Sequence, residues 1–274
     1  MIAQTLRGSI FAVLVLSAMP APAQDCSVET RVFDGRAKAA EKAGQAPIPI
    51  TFSKVLFHAG KAYDCLASGN QVTIFEPAQQ RFVVVDAARR TRTKIPLDEI
   101  KGVLDVAQQR AEQKLTAERN VADRRENQLT AFQIHPKFAE HFDAPHKRLA
   151  LTSRLLSYSV KCAPTDHPEL LKAYLDYADW AARLNFVVYP NAQFPNPRLE
   201  LNDALRRHKL APIEVTLTVH RENGECLTAQ HRFNWTLDVN DRAQIREWEK
   251  NLQDPSFKTK SLVPASPESV SVRR

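Results

Sequence analysis

Three histidines, His135, His141 and His146, fall close together with Glu140 and Asp143 among them. Imidazole and carboxylate are ligands that zinc and similar ions select, so a metal-dependent hydrolase built on His135, His141 and His146 is one chemistry this chain could carry. The spacings of six and five suit neither one helical turn nor a strand's alternation, and Pro136 and Pro145 interrupt any regular element. A surface loop is the reading the pattern favours. A second group, Tyr174, Tyr177 and Trp180, recurs at threes along one side of a helix, with Asp176 and Asp179 beside it. Two carboxylates three apart share a helical face, but acid/base work also needs a positioned partner group. None accompanies them, and the aromatic spacing is that of an ordinary core stripe. Arg89, Arg90 and Arg92 put positive charge at a strand end. Such a run can hold a phosphate, or it can blunt a sheet edge with no ligand at all; the second reading is favoured.

What is missing narrows the classes further. The chain has 7 glycines in 274 residues, against about 19 at average usage. Phosphate-cradling loops of the dinucleotide-binding and P-loop kinds are absent, as is a Gly-x-Ser-x-Gly nucleophile turn. The sequence calls for no cofactor and offers no catalytic residue set.

Residues 1–23 carry one basic residue, Arg7, an apolar run from Ile10 to Leu16, and Ala21-Pro22-Ala23, a small-x-small cleavage pattern near Ala23. That is the form of a secretory signal peptide, so the expected site of action is the periplasm or the extracellular space. The run is too short to span a bilayer, which takes about 20 apolar residues, and no later segment reaches 18. A chain not embedded in a membrane is expected. Net charge is +7, and the basic residues are spread through acidic ones, which argues against a nucleic-acid partner. Binding of an acidic polymer through the basic surface is a weaker reading of the same excess. The four cysteines, Cys26, Cys65, Cys162 and Cys226, all lie beyond the cleavage site, and an even count in an oxidising compartment suggests disulfides. Of the three pairings, Cys26 with Cys65 and Cys162 with Cys226 are preferred.

The elements follow from periodicity. Residues 24–50 read as a loosely ordered lead. From Thr51, short β-branched and aromatic runs at Ser53 to His58, Lys61 to Leu66, Gln71 to Glu76 and Arg81 to Asp86 read as an antiparallel meander. A four-residue loop at 77–80 pairs Glu76 with Arg81, Ile74 with Val83 and Val72 with Val85, and puts Phe75 opposite Phe82. Both faces of that hairpin are then apolar, and each needs cover from a helix or a ligand. Pro96, then Leu97, Ile100, Leu104, Ala107, Ala111 and Leu115 at threes and fours, predict a helix with a charged continuation to Gln128. Leu149 to Cys162 reads as one strand. Asp166 and Glu169 predict a capped helix carrying Leu170, Tyr174, Tyr177, Ala181 and Leu184, and Asn196-Pro197 opens another above Leu201 and Leu205. Ile213 to Val219 and Leu227 to Leu237 alternate, and a three-residue loop at Glu222-Asn223-Gly224, with Gly224 left-handed, brings Val219 opposite Leu227. Asn240 caps a last helix with Ile245, Trp248 and Leu252. The segment 253–274 reads as a disordered tail. The fold class is α+β, a curved antiparallel sheet, up to a half-barrel, with helices packed over it, in a single domain over 51–252.

Three stretches together resemble an uncharacterised family of exported bacterial proteins. They are Gly60 to Asp64 with Thr73 to Pro77 and Arg81 to Asp86 on through Thr93 and Glu99; Tyr177 to Asn185; and Arg198 to Asn202. The resemblance implies no catalytic residues. Hairpins followed by a helix also resemble, at the level of fold alone, the half-barrel of LolA-like periplasmic lipoprotein carriers. The expected function is an exported non-enzymatic binding or scaffolding protein for a hydrophobic ligand or an envelope partner chain.

Overall fold

The computed structural model describes residues 25–36, 48–66, 69–117, 124–189, 192–221 and 224–261. The proposed signal peptide lies outside the described residues. Twelve strands form one sheet: β1 (Cys26–Asp34), β2 (Thr51–His58), β3 (Lys61–Leu66), β4 (Gln71–Glu76), β5 (Arg81–Asp86), β6 (Thr91–Pro96), β7 (Ala139–Asp143), β8 (Arg148–Thr152), β9 (Leu156–Pro164), β10 (Leu210–Val219), β11 (Cys226–Asn234) and β12 (Lys258–Ser261). Their order is β12-β6-β5-β4-β3-β2-β1-β11-β10-β9-β8-β7, in an open, curved sheet. Neighbours run antiparallel except β12, which lies parallel to β6. Five helices complete the α+β fold: α1 (Leu97–Ala117), α2 (Arg124–Ile134), α3 (Pro168–Val188), α4 (Asn196–His208) and α5 (Val239–Gln253).

The β4–β5 hairpin has the register its side chains dictate, Val72 opposite Val85, Ile74 opposite Val83, Phe75 opposite Phe82 and Glu76 opposite Arg81. Both of its faces are buried. Phe75 and Phe82, ring centroids 4.8 Å apart, belong to the core under α1 and α3. Val72, Ile74, Val83 and Val85 are each 0% exposed and belong to a second core with Ile245 and Trp248 of α5, Leu237 and Phe257. Each such aliphatic side chain contributes roughly 1.5–3 kcal/mol by leaving water. The chain's own C-terminal helix supplies the cover on that second face.

The other half of the sheet behaves differently. Leu149, Leu151, Leu156, Tyr158, Val160 and Val215 point under the helices. The opposite row carries a Lys161–Glu214 ion pair, a Thr216–Thr228 hydroxyl pair and a His220–Ser157 bond. That is the alternation of a sheet packed on one side only.

Several expectations are corrected. The lead 24–50 contains β1, which lies mid-sheet between β2 and β11 and buries Cys26 and Val28; its alternation is interrupted by Thr30 at an inward position and Phe33 at an outward one. Residues 253–261 of the tail are ordered, with Phe257 buried and β12 paired to β6, while 262–274 lie outside the described residues. Leu149 to Cys162 is not one strand but a hairpin, β8 and β9, turned by Ser153, whose Oγ takes hydrogen bonds from Leu155 and Leu156. The β10–β11 register pairs Leu217 with Leu227 and Thr218 with Cys226, two residues from the expected one and so on the same face. Glu222 and Asn223 lie outside the described residues. Gly224 is needed there for space, not handedness: a Cβ would collide with the carbonyl of Val219. Ile213 sits in a bulge after Pro212 and is 38% exposed. Residues 124–134 form a separate helix. The caps of α3 and α5 also move: Pro168 at the first turn starts α3 without a side-chain cap, and Asp238 with Asp241 forms a capping box on α5.

The four cysteines are unpaired. Register explains it. Cys26 aligns with Phe57 and Cys65 with Lys54, so β2 separates them; Cys162 aligns with Pro212 and Cys226 with Thr218, so β10 separates that pair. Crossing an intervening strand takes about 9 Å, beyond the roughly 7 Å that a disulfide tolerates between Cα atoms. Burial also pushes the Cys26 and Cys65 thiols up to about 12, where the reactive thiolate is scarce.

Two outcomes are expected. Thiol titration of the unreduced protein in denaturant counts four free sulfhydryls. Trp248→Ala lowers unfolding free energy by about 3–5 kcal/mol in urea titrations, whereas Val106→Ala, on the exposed side of α1, leaves it within about 0.5 kcal/mol.

Candidate functional site

α3 lies over the sheet because its apolar stripe is wide. Tyr174 and Tyr177 are buried with their rings edge-on to Phe57, at centroid distances of 6.5 and 5.9 Å, and Tyr177 is 6.2 Å from Phe75. The two tyrosines are core, as their spacing indicated. Trp180, the third of the stripe, is half-buried and stands at the lip of a cleft of about 970 Å³ between α1, α3 and the β2–β3 turn. Phe57, Ala62, Phe75 and Pro77 form its apolar floor. The turn at its edge is Ala59-Gly60, both left-handed at φ 49° and 73°, the tight geometry that matches strand twist. Lys101 Nζ of α1 and the Arg183 guanidinium of α3 sit 5.5 and 5.0 Å from the Trp180 ring centroid.

Asp176 and Asp179 do not form an acid/base pair. Arg206 of α4 bonds both, at 3.2 and 2.6 Å, Asn202 donates to Asp179 at 2.6 Å, and Lys172 to Asp176 at 2.7 Å. Asn202 is itself fully buried and takes a bond from Arg198. These carboxylates are the clamp that docks α4 on α3. The same pairing raises the Arg206 guanidinium above its usual range, against the opposing effect of burial.

Beneath the helices two polar groups face the apolar side of the sheet. Asp64 of β3 accepts a 2.6 Å bond from the Tyr177 hydroxyl, and its second oxygen is buried with no partner. Burial raises this carboxyl above the ordinary range despite the Tyr177 bond. His231 of β11 meets Thr30 at 3.0 Å and the Tyr174 hydroxyl at 3.5 Å, and its Nε2 has no partner. Burial, with Arg198 nearby, lowers it to about 3, so it is neutral in the folded protein at physiological pH.

The histidine cluster is not brought together. His135, at the end of α2, bonds Glu112 of α1; His146 bonds Asp143; His141 is exposed on edge strand β7; and Glu140 is taken by Arg207 and His208 of α4. Among the described residues no group of three or more His, Cys, Asp or Glu side chains could hold a metal ion. The arginine run fastens a sheet edge: Arg89 pairs with Asp86, Arg90 with Ser256 and Asp254, and Arg92 with the Leu252 carbonyl and Thr259. No described helix is long and apolar enough to cross a membrane.

Asp64 and His231 were visible in the sequence only as polar residues at inward positions, sharing a strand face with Ala62 and with Ala229 and Phe233. Lys101 carried no signal at all, since its place beside Trp180 comes from the packing of α1 on α3. No protein-family model matches the chain, and no curated protein matches it significantly in sequence.

The two buried groups impose opposite pH dependences. His231 is depressed in the fold, so the unfolded chain binds the extra proton first and stability falls as pH drops from about 6.5 towards 3, by about 1.4 kcal/mol per unit at most. Asp64 is raised, so stability falls as pH rises from the ordinary carboxyl range through its raised value. In urea titrations over pH 3 to 8, His231→Gln removes the loss of stability on acidification, and Asp64→Asn removes the loss that sets in as pH rises above the ordinary carboxyl range. Curves parallel to the parent's would contradict both assignments.

Proposed function

We propose that the protein is an exported, non-enzymatic binding protein whose cleft between α1, α3 and the β2–β3 turn receives an apolar ligand chain. The observation that carries this reading is the floor of Phe57, Ala62, Phe75 and Pro77. That floor lies deep, with Phe57, Ala62 and Phe75 only 2–4% exposed, and the apolar surface a ligand meets first is that of the half-buried Pro77, Ala173 and Trp180. The cleft's volume of about 970 Å³ lies at the upper end of ligand pockets, roughly 300–1,000 Å³. The segments that carry the family resemblance meet here: Gly60 to Ala62, Phe75 and Pro77, and Asp179, Trp180 and Arg183 all line it. Asn202, from the third segment, braces Asp179 from behind. The signal-peptide pattern of residues 1–23 and the LolA-like half-barrel analogy agree with a carrier or binding role in the cell envelope.

Titration with the uncharged fluorescent probe N-phenyl-1-naphthylamine tests this. Saturable binding at one site per chain is expected. Ala173→Trp, which fills the cleft from α3, weakens it at least tenfold while thermal unfolding stays cooperative. Absence of saturable binding, or binding untouched by Ala173→Trp, overturns the reading.

A further inference from the structure

Charge around the cleft is unevenly satisfied. Lys61 is bound by Glu76 and Glu249, at 2.9 and 2.8 Å. Lys172, Asp176 and Asp179 are tied up among themselves and with Arg206. Two cations differ. Lys101 and Arg183 face the Trp180 ring and, among the described residues, form no ion pair with a carboxylate within 4 Å. Asp179 and, more weakly, Asp203 are the acidic groups that act on Arg183; the oxygens of Asp179 are already taken by Asn202 and Arg206, and Asp203 is itself paired with Arg206. Arg183 is partly buried, and burial lowers its proton affinity. A half-buried cation short of a counter-ion gains when an anion reaches it. At the other end of the cleft stands Glu169. It is eleven residues from Trp180 along α3, about 16 Å at 1.5 Å per residue, so Lys101 and Arg183 stand at one end of the cleft and Glu169 at the other, with the mutually paired Lys172 and Asp176 along α3 between them.

Resting on the apolar-cleft reading above, we infer that the occupant is a single-chain amphiphile with one anionic head group, held at Lys101 and Arg183 beside Trp180, its tail laid over Phe57 and Phe75 towards the β2–β3 turn. The head group can be carboxylate, sulfate or phosphate, since the two cations supply charge and donors that all three accept. The carboxylate of Glu169 repels a second anion at the tail end, so a chain acidic at both ends is a poorer fit. The Trp180 ring holds both cations on its faces, which orders them before the ligand arrives and reduces the entropy lost on binding.

Displacement of N-phenyl-1-naphthylamine by four ligands with twelve-carbon chains tests the inference: dodecanoate, dodecyl phosphate, dodecanol and dodecyltrimethylammonium. Dodecanoate and dodecyl phosphate are expected to bind about tenfold tighter than dodecanol, the effect of a charge-assisted contact, with the cationic chain weakest. In Lys101→Gln, an exposed position that leaves the core intact, and in Lys101→Gln/Arg183→Gln, the ratio of dodecanoate to dodecanol affinity falls towards one. If the probe binds the parent protein but the anionic preference is absent, or survives the double substitution, the head-group assignment is overturned and the apolar-cleft reading stands. If the probe itself fails to bind, that reading falls and the inference with it.

Discussion

The architecture depends on one constraint, that β4 and β5 carry apolar side chains on both faces. Phe75 and Phe82 point to one side, and Val72, Ile74, Val83 and Val85 to the other. A two-stranded ribbon of that kind cannot leave either side in water. The chain therefore follows β6 directly with α1 to help close the first face, and returns at its end with α5 to close the second. Trp248 and Ile245 reach the aliphatic row from α5, and Phe257 completes it before β12 pairs with β6. The arginines of the β5–β6 turn and of β6 hold that returning segment in place.

The two halves of the sheet solve different problems. Around β2 to β5 the sheet is the middle of three layers; around β8 to β11 it has a wet face of paired Ser, Thr, Lys and Glu. β1 joins them, pairing along its length with β11 on one side and β2 on the other. Over the first face, polar side chains set the placement of helices. Tyr177 reaches Asp64 on the sheet, and Asp179, Asn202 and Arg206 lock α4 to α3. With these contacts fixed, α3 presents Trp180 and Arg183 at its outer side next to Lys101, above a cleft whose floor is the buried Phe57, Ala62 and Phe75. The cleft is thus a consequence of how the helices are pinned, and its apolar floor continues the core.

Much of this was legible in the chain where period and cover coincide. The β4–β5 register could be written from the residues because a four-residue loop at 77–80 pairs Glu76 with Arg81, and the apolar pairs follow from it. α1, α3 and α5 were legible from stripes at threes and fours. β1 was not, because Thr30 stands at an inward position and Phe33 at an outward one, which interrupts the alternation around Glu29 and Arg31. β12 was not, because four exposed residues pair with an edge and carry no apolar pattern. The disulfides were expected from parity of count and compartment, whereas strand order decides which sulfurs can meet, and it is a long-range property. Of the site, Tyr174, Tyr177, Trp180, Asp176 and Asp179 were singled out for spacing, and the structure divides them into core, lip and clamp. The partners that give them those roles, Phe57, Lys101, Asn202 and Arg206, lie on other elements and could not be read from local pattern.

At the centre of this reading stands the apolar cleft with a cationic lip that α1 and α3 leave on the helix-covered face of the sheet. Backbone amide chemical shifts followed by NMR during titration with dodecanoate test it most directly. The account predicts saturable changes confined to residues 57–62, 75–77, 101 and 173–183. Changes centred on α5 and its side of β4 and β5, or none at saturating ligand, would contradict it.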